Sequence, residues 1–123
     1  MSIQLGPSKL EQPVILAPMS GITDLPFRRL VRGFGVDFAV SEMIASTGVV
    51  SGGRISRERA SWAADEGLRV VQLAGCLPEP MAQAARLSQD QGADVIDINM
   101  GCPVKEVVGG SAGSALLRDE TLA

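Results

Sequence analysis

One cysteine in the stretch "INMGCPVKEVVGG" has surroundings that could serve chemistry. Cys102 lies between Gly101 and Pro103, just after an apolar run that ends in Asn99. A free cysteine is most often a small buried hydrophobe, but these two neighbours leave the side chain little to pack against locally. Lys105 is close in sequence and could favour the thiolate form. From the residues alone, a chemical role and a packing role for this thiol both stay open.

Four polar residues stand near the carboxyl ends of predicted strands: Glu42, Gln72, Asp97 and Asn99. Side chains alternate along a strand, so Asp97 and Asn99 face one side and the isoleucines beside them face the other. Each of the four could simply make an internal hydrogen bond, because a buried polar group needs a partner. Together they favour a site for a polar ligand. The amide of Gln72 offers both a donor and an acceptor, as a heterocycle edge such as a flavin pyrimidine requires.

The second cysteine and the clustered arginines are interpreted as structural and not as catalytic. Cys76, flanked by Gly75 and Leu77, has no surroundings that suggest chemistry. With two cysteines and no histidine, we expect no structural zinc site, and a disulfide is possible by arithmetic but not expected in a cytoplasmic protein. Six arginines cluster locally, and we interpret them as a solvated helix face: Arg28, Arg29, Arg32, Arg54, Arg57 and Arg59.

Composition limits the class of protein. The 123 residues are 46% hydrophobic and 20% charged, which is typical of a globular domain and not of a disordered chain. The net charge of −3 gives no global basic field that would indicate a nucleic-acid partner. The first ten residues lack the apolar core of a signal peptide, and no run approaches the roughly 18 apolar residues of a membrane span. We therefore predict a cytoplasmic protein with no membrane partner.

The elements that must position these residues alternate between strand and helix. Strands are predicted over 13–18, 36–45, 69–75 and 93–100, and helices over 23–35 and 78–92, with a weaker helical stretch in 46–67 and a helix beginning near the end. The first helix should start at Thr23 or Asp24 and stop at Gly35. Its apolar stripe should be Phe27, Leu30, Val31 and Phe34. The run 13–18 is interpreted as a strand buried on both faces.

Strand starts about 30 residues apart fit repeated βα units, which build either a doubly wound open sheet or an eight-fold barrel. The first βα turn, "APMSGITD", has one glycine where a dinucleotide fold carries G-x-G-x-x-G, so we favour the barrel. A whole barrel needs about 250 residues. We therefore expect an α/β fold that is the N-terminal half of a TIM (β/α)8 barrel with about four βα units. Half a barrel leaves two sheet edges unpaired and an apolar interior exposed, so the isolated chain should self-associate as a dimer or aggregate, or be partly disordered.

The segments "ILAPMSGITDLPFR", "VSEMIAS", "VVQLAG" and "DINMGCPVKEVVGGSAGSALL" resemble, in order and spacing, the N-terminal half of a tRNA-dihydrouridine synthase. The similarity is to the bacterial B-type branch, some members of which carry a nitrogen-regulation name. The resemblance implies that 1–123 is the N-terminal portion of an FMN-binding TIM-barrel catalytic domain. It further implies reduction of a uracil base in tRNA to 5,6-dihydrouracil, with NADPH as the source of electrons.

The resemblance also assigns roles to particular residues. Five of them are expected to contact the flavin: Pro18, Met19, Ser20, Gln72 and Asn99. Asn99 would position the flavin or the uracil, and Cys102 matches the proton donor of the family. A thiol fits this task because it is largely protonated at neutral pH and can release that proton to a reacting carbon. The target base must also leave the stack of the tRNA to reach the flavin.

Some family features lie outside the sequence or differ from it. A lysine and a histidine that contact the flavin in the family belong to later strands, and the helical domain that grips tRNA follows them. Glu106 and the pair Gly109 and Gly110 stand where relatives usually carry more basic residues, which argues against tRNA contact by this loop. The isolated chain is therefore expected to be inactive. The alternatives are another FMN-dependent TIM-barrel oxidoreductase, such as a dihydroorotate-dehydrogenase-like or old-yellow-enzyme-like protein, and a non-catalytic, self-associating half-barrel.

Overall fold

Parallel strands alternate with helices in residues 2–123, which this computed structural model describes. The strands are β1 (Ile3–Leu5), β2 (Ser8–Leu10), β3 (Ile15–Leu16), β4 (Phe38–Ala39), β5 (Ile44–Ala45), β6 (Val70–Ala74) and β7 (Val95–Ile98). The α-helices are α1 (Leu25–Arg32), α2 (Ser46–Val50), α3 (Arg54–Arg59), α4 (Pro78–Asp90) and α5 (Lys105–Val108), and a 3₁₀ helix covers Gly113–Arg118. The predicted α/β class is confirmed.

The strand pairings are parallel except for one hairpin. β3 pairs with β4, and β5, β6 and β7 form a three-stranded sheet in that order. The bridge between Val40 and Val70 links the segment after β4 to β6, so the predicted second strand is present but interrupted between Ala39 and Ile44. In the β6–β7 register, Gln72 lies opposite Asp97. This register brings two of the predicted site residues into contact range on one face.

The sheet divides the core into two apolar clusters. On the helix side, Val71 and Leu73 of β6 pack with Ile44 and Ala84, and Ile96 of β7 joins them. On the opposite side, a second cluster contains Leu10, Phe38, Val40 and Val70, with Leu68 and Val95 packed against it. The period-two alternation predicted for β6 and β7 is therefore confirmed. Because the helices cover one face, the polar residues at the strand ends lie on the other.

The first helix begins as predicted but is shorter. The carboxylate of Asp24 accepts a hydrogen bond from the Phe27 backbone N–H at 3.0 Å, which is an N-cap. The helix ends at Gly33, and Leu30 and Phe34 are 61% and 82% exposed, so the predicted apolar stripe is wrong for these two residues. The reason is that the buried side of α1 is built around an arginine.

That arginine, Arg28, is 3% exposed, so the interpretation of the basic cluster as a solvated face is wrong for this residue. Arg29, Arg54 and Arg57 are exposed, as interpreted. The Nε of Arg28 donates to Glu66 Oε1 at 2.9 Å, and its terminal nitrogens donate to the carbonyls of Thr23 and Ser61 at 3.0 and 2.7 Å. Arg32 lies beside the pair, and burial lowers the pKa of its guanidinium, an effect that Glu66 opposes. A buried charge with its hydrogen bonds satisfied fixes α1 against the loop before β6.

The first predicted strand differs most from expectation. Only Ile15–Leu16 forms β3, and Val14 and Ile15 are 58% and 53% exposed, so burial on both faces is wrong. The cause is that β3 pairs only with β4 in residues 2–123. Self-association through such edges stays a prediction. The hairpin of β1 and β2 and the helix α5 were not predicted at all. Among the described helices, none combines the length and apolar character of a bilayer span.

Candidate active site

A cavity of about 510 Å³ opens at the carboxyl ends of the parallel strands. Its lining comes from the loop after β3, the segment before β5, the middle of β6, and the end of β7 with the loop that follows it. The lining residues are Pro18, Ser20, Met43, Gln72, Ile98, Asn99, Met100, Gly101, Cys102 and Val104. The structure thus brings together five of the six predicted site residues. Met19 lies beside this set, 37% exposed, and contributes its backbone to the turn that carries Ser20.

A chain of hydrogen bonds crosses the floor of the cavity. Gln72 is 6% exposed, and its Nε2 donates to Asp97 Oδ2 at 2.6 Å. Its Oε1 accepts from Asn99 Nδ2 at 3.0 Å. An amide carries two N–H groups and two lone pairs, so each end of the Gln72 amide keeps one free bonding position. Gln72 lines the cavity, and a ligand with a polar edge has the donor and acceptor groups that match these positions.

Asn99 also shapes the loop that carries the thiol. Its Oδ1 accepts from the backbone N–H groups of Cys102 at 2.9 Å and Gly101 at 3.2 Å. Asparagine at the end of a strand commonly folds the following residues in this way. From the other side, the Ser114 backbone N–H donates to the carbonyl of Cys102 at 3.0 Å. The half-buried thiol is therefore held at the cavity wall by bonds to its own backbone on both sides.

Glu42 reaches the same rim but serves a different loop. Its Oε1 accepts from the Gly21 backbone N–H at 2.6 Å and lies 3.8 Å from the Arg59 guanidinium. The same turn is closed by Thr23, whose buried hydroxyl bonds both the N–H and the carbonyl of Met19. The predicted convergence of four polar groups is thus correct for three of them, whereas Glu42 holds the turn that lines the cavity.

The second cysteine lies apart from this cavity. Cys76 Sγ donates to the carbonyl of Gly110 at 3.2 Å, and both cysteines are free thiols. Cys76 lines a neighbouring cavity of about 470 Å³ and not the one that holds Cys102. Lys105 is exposed at the start of α5. The contact with Gly110 fits the structural role predicted for Cys76, because it ties the loop after β6 to the loop after β7.

Sequence reasoning missed Gly113, which packs directly behind the thiol. Its φ is +62°, and a Cβ built there would lie 2.5 Å from the Cys102 carbonyl oxygen, 2.9 Å from Val107 Cγ1 and 3.3 Å from Cys102 Cβ. Real Cβ atoms do not approach backbone oxygen this closely. The signal in the sequence was the glycine-rich run "VVGGSAGS", but only the fold shows which of its glycines faces Cys102.

Replacing Gly113 by alanine is therefore expected to displace the loop of Cys102. The matched control is Gly6→Ala, because Gly6 has a similar φ of +55° with nothing within 4 Å of its Cβ direction. Both variants carry the cost of a left-handed backbone, so the difference between them isolates the clash. We expect Gly113→Ala to lower the free energy of unfolding by about 1–3 kcal/mol more than the control. Urea unfolding measures this, and equal losses would contradict the close packing.

The residues that line the cavity can bind a ring with a polar edge and present a thiol to it. Two amides at the floor can hold the polar edge of a ring, and Pro18, Ile98 and Met100 supply apolar surface around it. Cys102 presents a thiol at the wall of the same space, where it can give a proton to a bound molecule or attack it.

Comparisons with known proteins identify what the chain resembles. The model of the family described as dihydrouridine synthase (Dus) matches residues 15–123. The chain is 52% identical over 122 residues to a protein of Rickettsia bellii named "Probable tRNA-dihydrouridine synthase", covering 98% of this chain and 37% of that protein. It is 48% identical over 120 residues to "tRNA-dihydrouridine synthase B" of Shewanella oneidensis, with 98% and 37% covered. The chain thus spans 37% of the length of these relatives.

Proposed function

This chain belongs to the dihydrouridine synthase family, and we propose that the whole protein reduces a uracil base of tRNA to 5,6-dihydrouracil in the cytoplasm. The observation that carries the proposal is the position of Cys102 at a cavity whose floor is the Gln72 and Asn99 pair. The matched residues 15–123 include all of these positions. The partner of the whole protein is accordingly tRNA.

We propose FMN as the cofactor, with NADPH as its reductant. When bound, FMN supplies the hydride chemistry of the reaction. The fit is supported by the free donor and acceptor positions on the Gln72 amide, since a pyrimidine edge needs both kinds of partner. Pro18 and Ser20 line the other side of the cavity and would contact the ring system. Met19 would contribute through the turn that it shares with Thr23.

Cys102 then supplies the proton. Saturating the double bond between C5 and C6 of uracil requires a hydride at one carbon and a proton at the other. The thiol gives its proton to the second carbon, becomes a thiolate, and regains a proton from water before the next turnover. The hydrogen bonds on both sides of the Cys102 backbone keep the sulfur at the cavity wall. Asn99 therefore positions both the cofactor edge and the acid.

The fold proposed for residues 1–123 is the N-terminal half of a (β/α)8 barrel, forming part of an FMN-binding catalytic domain. Support comes from the parallel pairing of β3 with β4 and of β5, β6 and β7. The cavity at the carboxyl ends of these strands is where barrel enzymes place their active sites. This placement explains why the polar residues of β6 and β7 lie near the loops.

The proposal is tested by incubating the whole protein with FMN, NADPH and tRNA that lacks dihydrouridine. Dihydrouridine in the digested tRNA, detected by mass spectrometry as the gain of two hydrogens, is the expected result. Oxidation of NADPH that depends on a free small pyrimidine and not on tRNA would instead assign the protein to another class of flavin-dependent oxidoreductase. Absence of dihydrouridine with a flavin-loaded protein would overturn the proposal.

A further inference from the structure

We propose that Asp97 is a positioning residue, whose carboxylate sets the orientation of the Gln72 and Asn99 amides and through them holds the loop of Cys102. Four groups on β6, on β7 and in the loop that follows form one continuous line. Asp97 Oδ2 accepts from Gln72 at 2.6 Å, Gln72 accepts from Asn99 at 3.0 Å, and Asn99 accepts from the Cys102 N–H at 2.9 Å. This proposal rests on the proposed function in one respect only, namely that Cys102 is the residue whose position matters for the reaction.

Asp97 at one end and the backbone N–H groups of Gly101 and Cys102 at the other end impose the same direction on every bond in this line. A carboxylate only accepts hydrogen bonds, so Gln72 must turn its nitrogen toward Asp97 and its oxygen toward Asn99. Asn99 must then turn its nitrogen toward Gln72, which leaves its oxygen facing the backbone of Cys102. A backbone N–H only donates, so this is the orientation that the loop needs. If the two amides were reversed, the Asn99 nitrogen would face the Cys102 N–H and both donors would lack an acceptor.

An asparagine at position 97 removes the constraint at this end of the line without changing the size of the side chain, so that only the N–H groups of Gly101 and Cys102 still set the direction. It can accept from Gln72 as the carboxylate does, or donate to Gln72 and permit the reversed orientation. The pair Asp97→Asn with Asn99→Asp restores a single direction. Position 97 then donates to Gln72, Gln72 donates to position 99, and an aspartate at 99 still accepts from the Cys102 N–H. The double variant has the same atoms and charge as the wild type, with the carboxylate moved to the other end of the line, and it gives up only the bond from Asn99 Nδ2 to Met43 Sδ at 3.3 Å.

The experiment measures hydrogen exchange of the Cys102 backbone amide by NMR in the whole protein, without tRNA or flavin. Asp97→Asn is expected to speed this exchange about tenfold, since the amide loses a consistent acceptor. Adding Asn99→Asp should return the rate to within about twofold of the wild type. Asp90→Asn, at the exposed end of α4, is the matched control and should leave the rate unchanged.

Two outcomes overturn the proposal that Asp97 orients this line of hydrogen bonds. One is an unchanged exchange rate in Asp97→Asn, and the other is a double variant whose Cys102 amide exchanges as fast as in the single variant. If Asp97→Asn does not fold, recovery of a folded protein on adding Asn99→Asp supports the proposal. Failure of the double variant to fold refutes it. A purely structural role of Asp97 predicts lower stability in both variants with no recovery. Because the readout needs neither substrate nor cofactor, a negative dihydrouridine assay would reject the proposed function and leave this result standing.

Discussion

Cys102→Ala is expected to slow uridine reduction in tRNA by about a hundred- to ten-thousand-fold, the usual contribution of a positioned general acid. The thiol lines the cavity beside Asn99 and Gly101, and alanine removes its proton without enlarging the side chain. In the reaction proposed for the whole protein, reduction of the flavin by NADPH would not use this proton, so its rate should stay within about twofold of the wild type. Stopped-flow bleaching of flavin absorbance gives the second rate, and a single-turnover assay with tRNA gives the first.

The control for this variant is Cys76→Ser, which keeps a donor for the Gly110 carbonyl. Cys76 lies at the neighbouring cavity, so its loss should leave uridine reduction within about twofold of the wild type. If Cys102→Ala and Cys76→Ser behave alike, the thiol of Cys102 is not the acid. If flavin reduction falls together with uridine reduction, Cys102 acts on cofactor binding and not on proton transfer.

Glu66→Gln is expected to lower the free energy of unfolding by about 3–5 kcal/mol, because it leaves the Arg28 charge buried without its partner. The side chains of Arg28 and Glu66 are 4% and 2% exposed, and their charged atoms are 2.9 Å apart. Glutamine preserves the size of the side chain, so the loss reports the missing charge and not a cavity. The midpoint of urea unfolding measures it.

The neighbouring residue supplies the control for the buried pair. Asp65 forms an ion pair with Arg29 at the same distance of 2.9 Å, but these side chains are 65% and 55% exposed. Asp65→Asn should therefore cost only about 0–1 kcal/mol. Equal losses in the two variants would mean that burial does not set the strength of the Arg28 pair. Replacing Arg28 and Glu66 together by methionine and leucine should recover only part of the loss, because the Arg32 guanidinium, 3.8 Å from Glu66 and 13% exposed, would then lack its carboxylate.

Much of the secondary structure followed from local patterns. The predicted strand 69–75 contains β6 (Val70–Ala74), and the predicted helix 78–92 contains α4 (Pro78–Asp90). Both segments have a clear period, and the flanking proline and glycine mark the ends of the helix. The short elements were harder, since a hairpin of three-residue strands and the four-residue α5 offer too few residues for a period to emerge.

Burial was the property that local patterns predicted least well. The run 13–18 is apolar, as buried parallel strands are, yet Ile15 is half exposed because β3 is covered on one edge only in residues 2–123. Arg28 was interpreted as solvated and is buried. Its partner Glu66 is 38 residues away in sequence. A side chain's own type does not reveal which distant group will reach it, so neither outcome could be deduced from the local sequence.

In the candidate site, too, local sequence patterns predicted some features and the packing of separate elements decided others. The sequence by itself determined that Asp97 and Asn99 face one side of a strand and that Cys102 follows them, since alternation along a strand is a property of backbone geometry. The β6–β7 register places Gln72 opposite Asp97. Only the tertiary structure decided that Glu42 bonds Gly21 and not Gln72, and that Gly113 lies against Cys102. The physical reason is that strand periodicity is set within a few residues, whereas hydrogen-bond partners and close contacts depend on how separate elements pack.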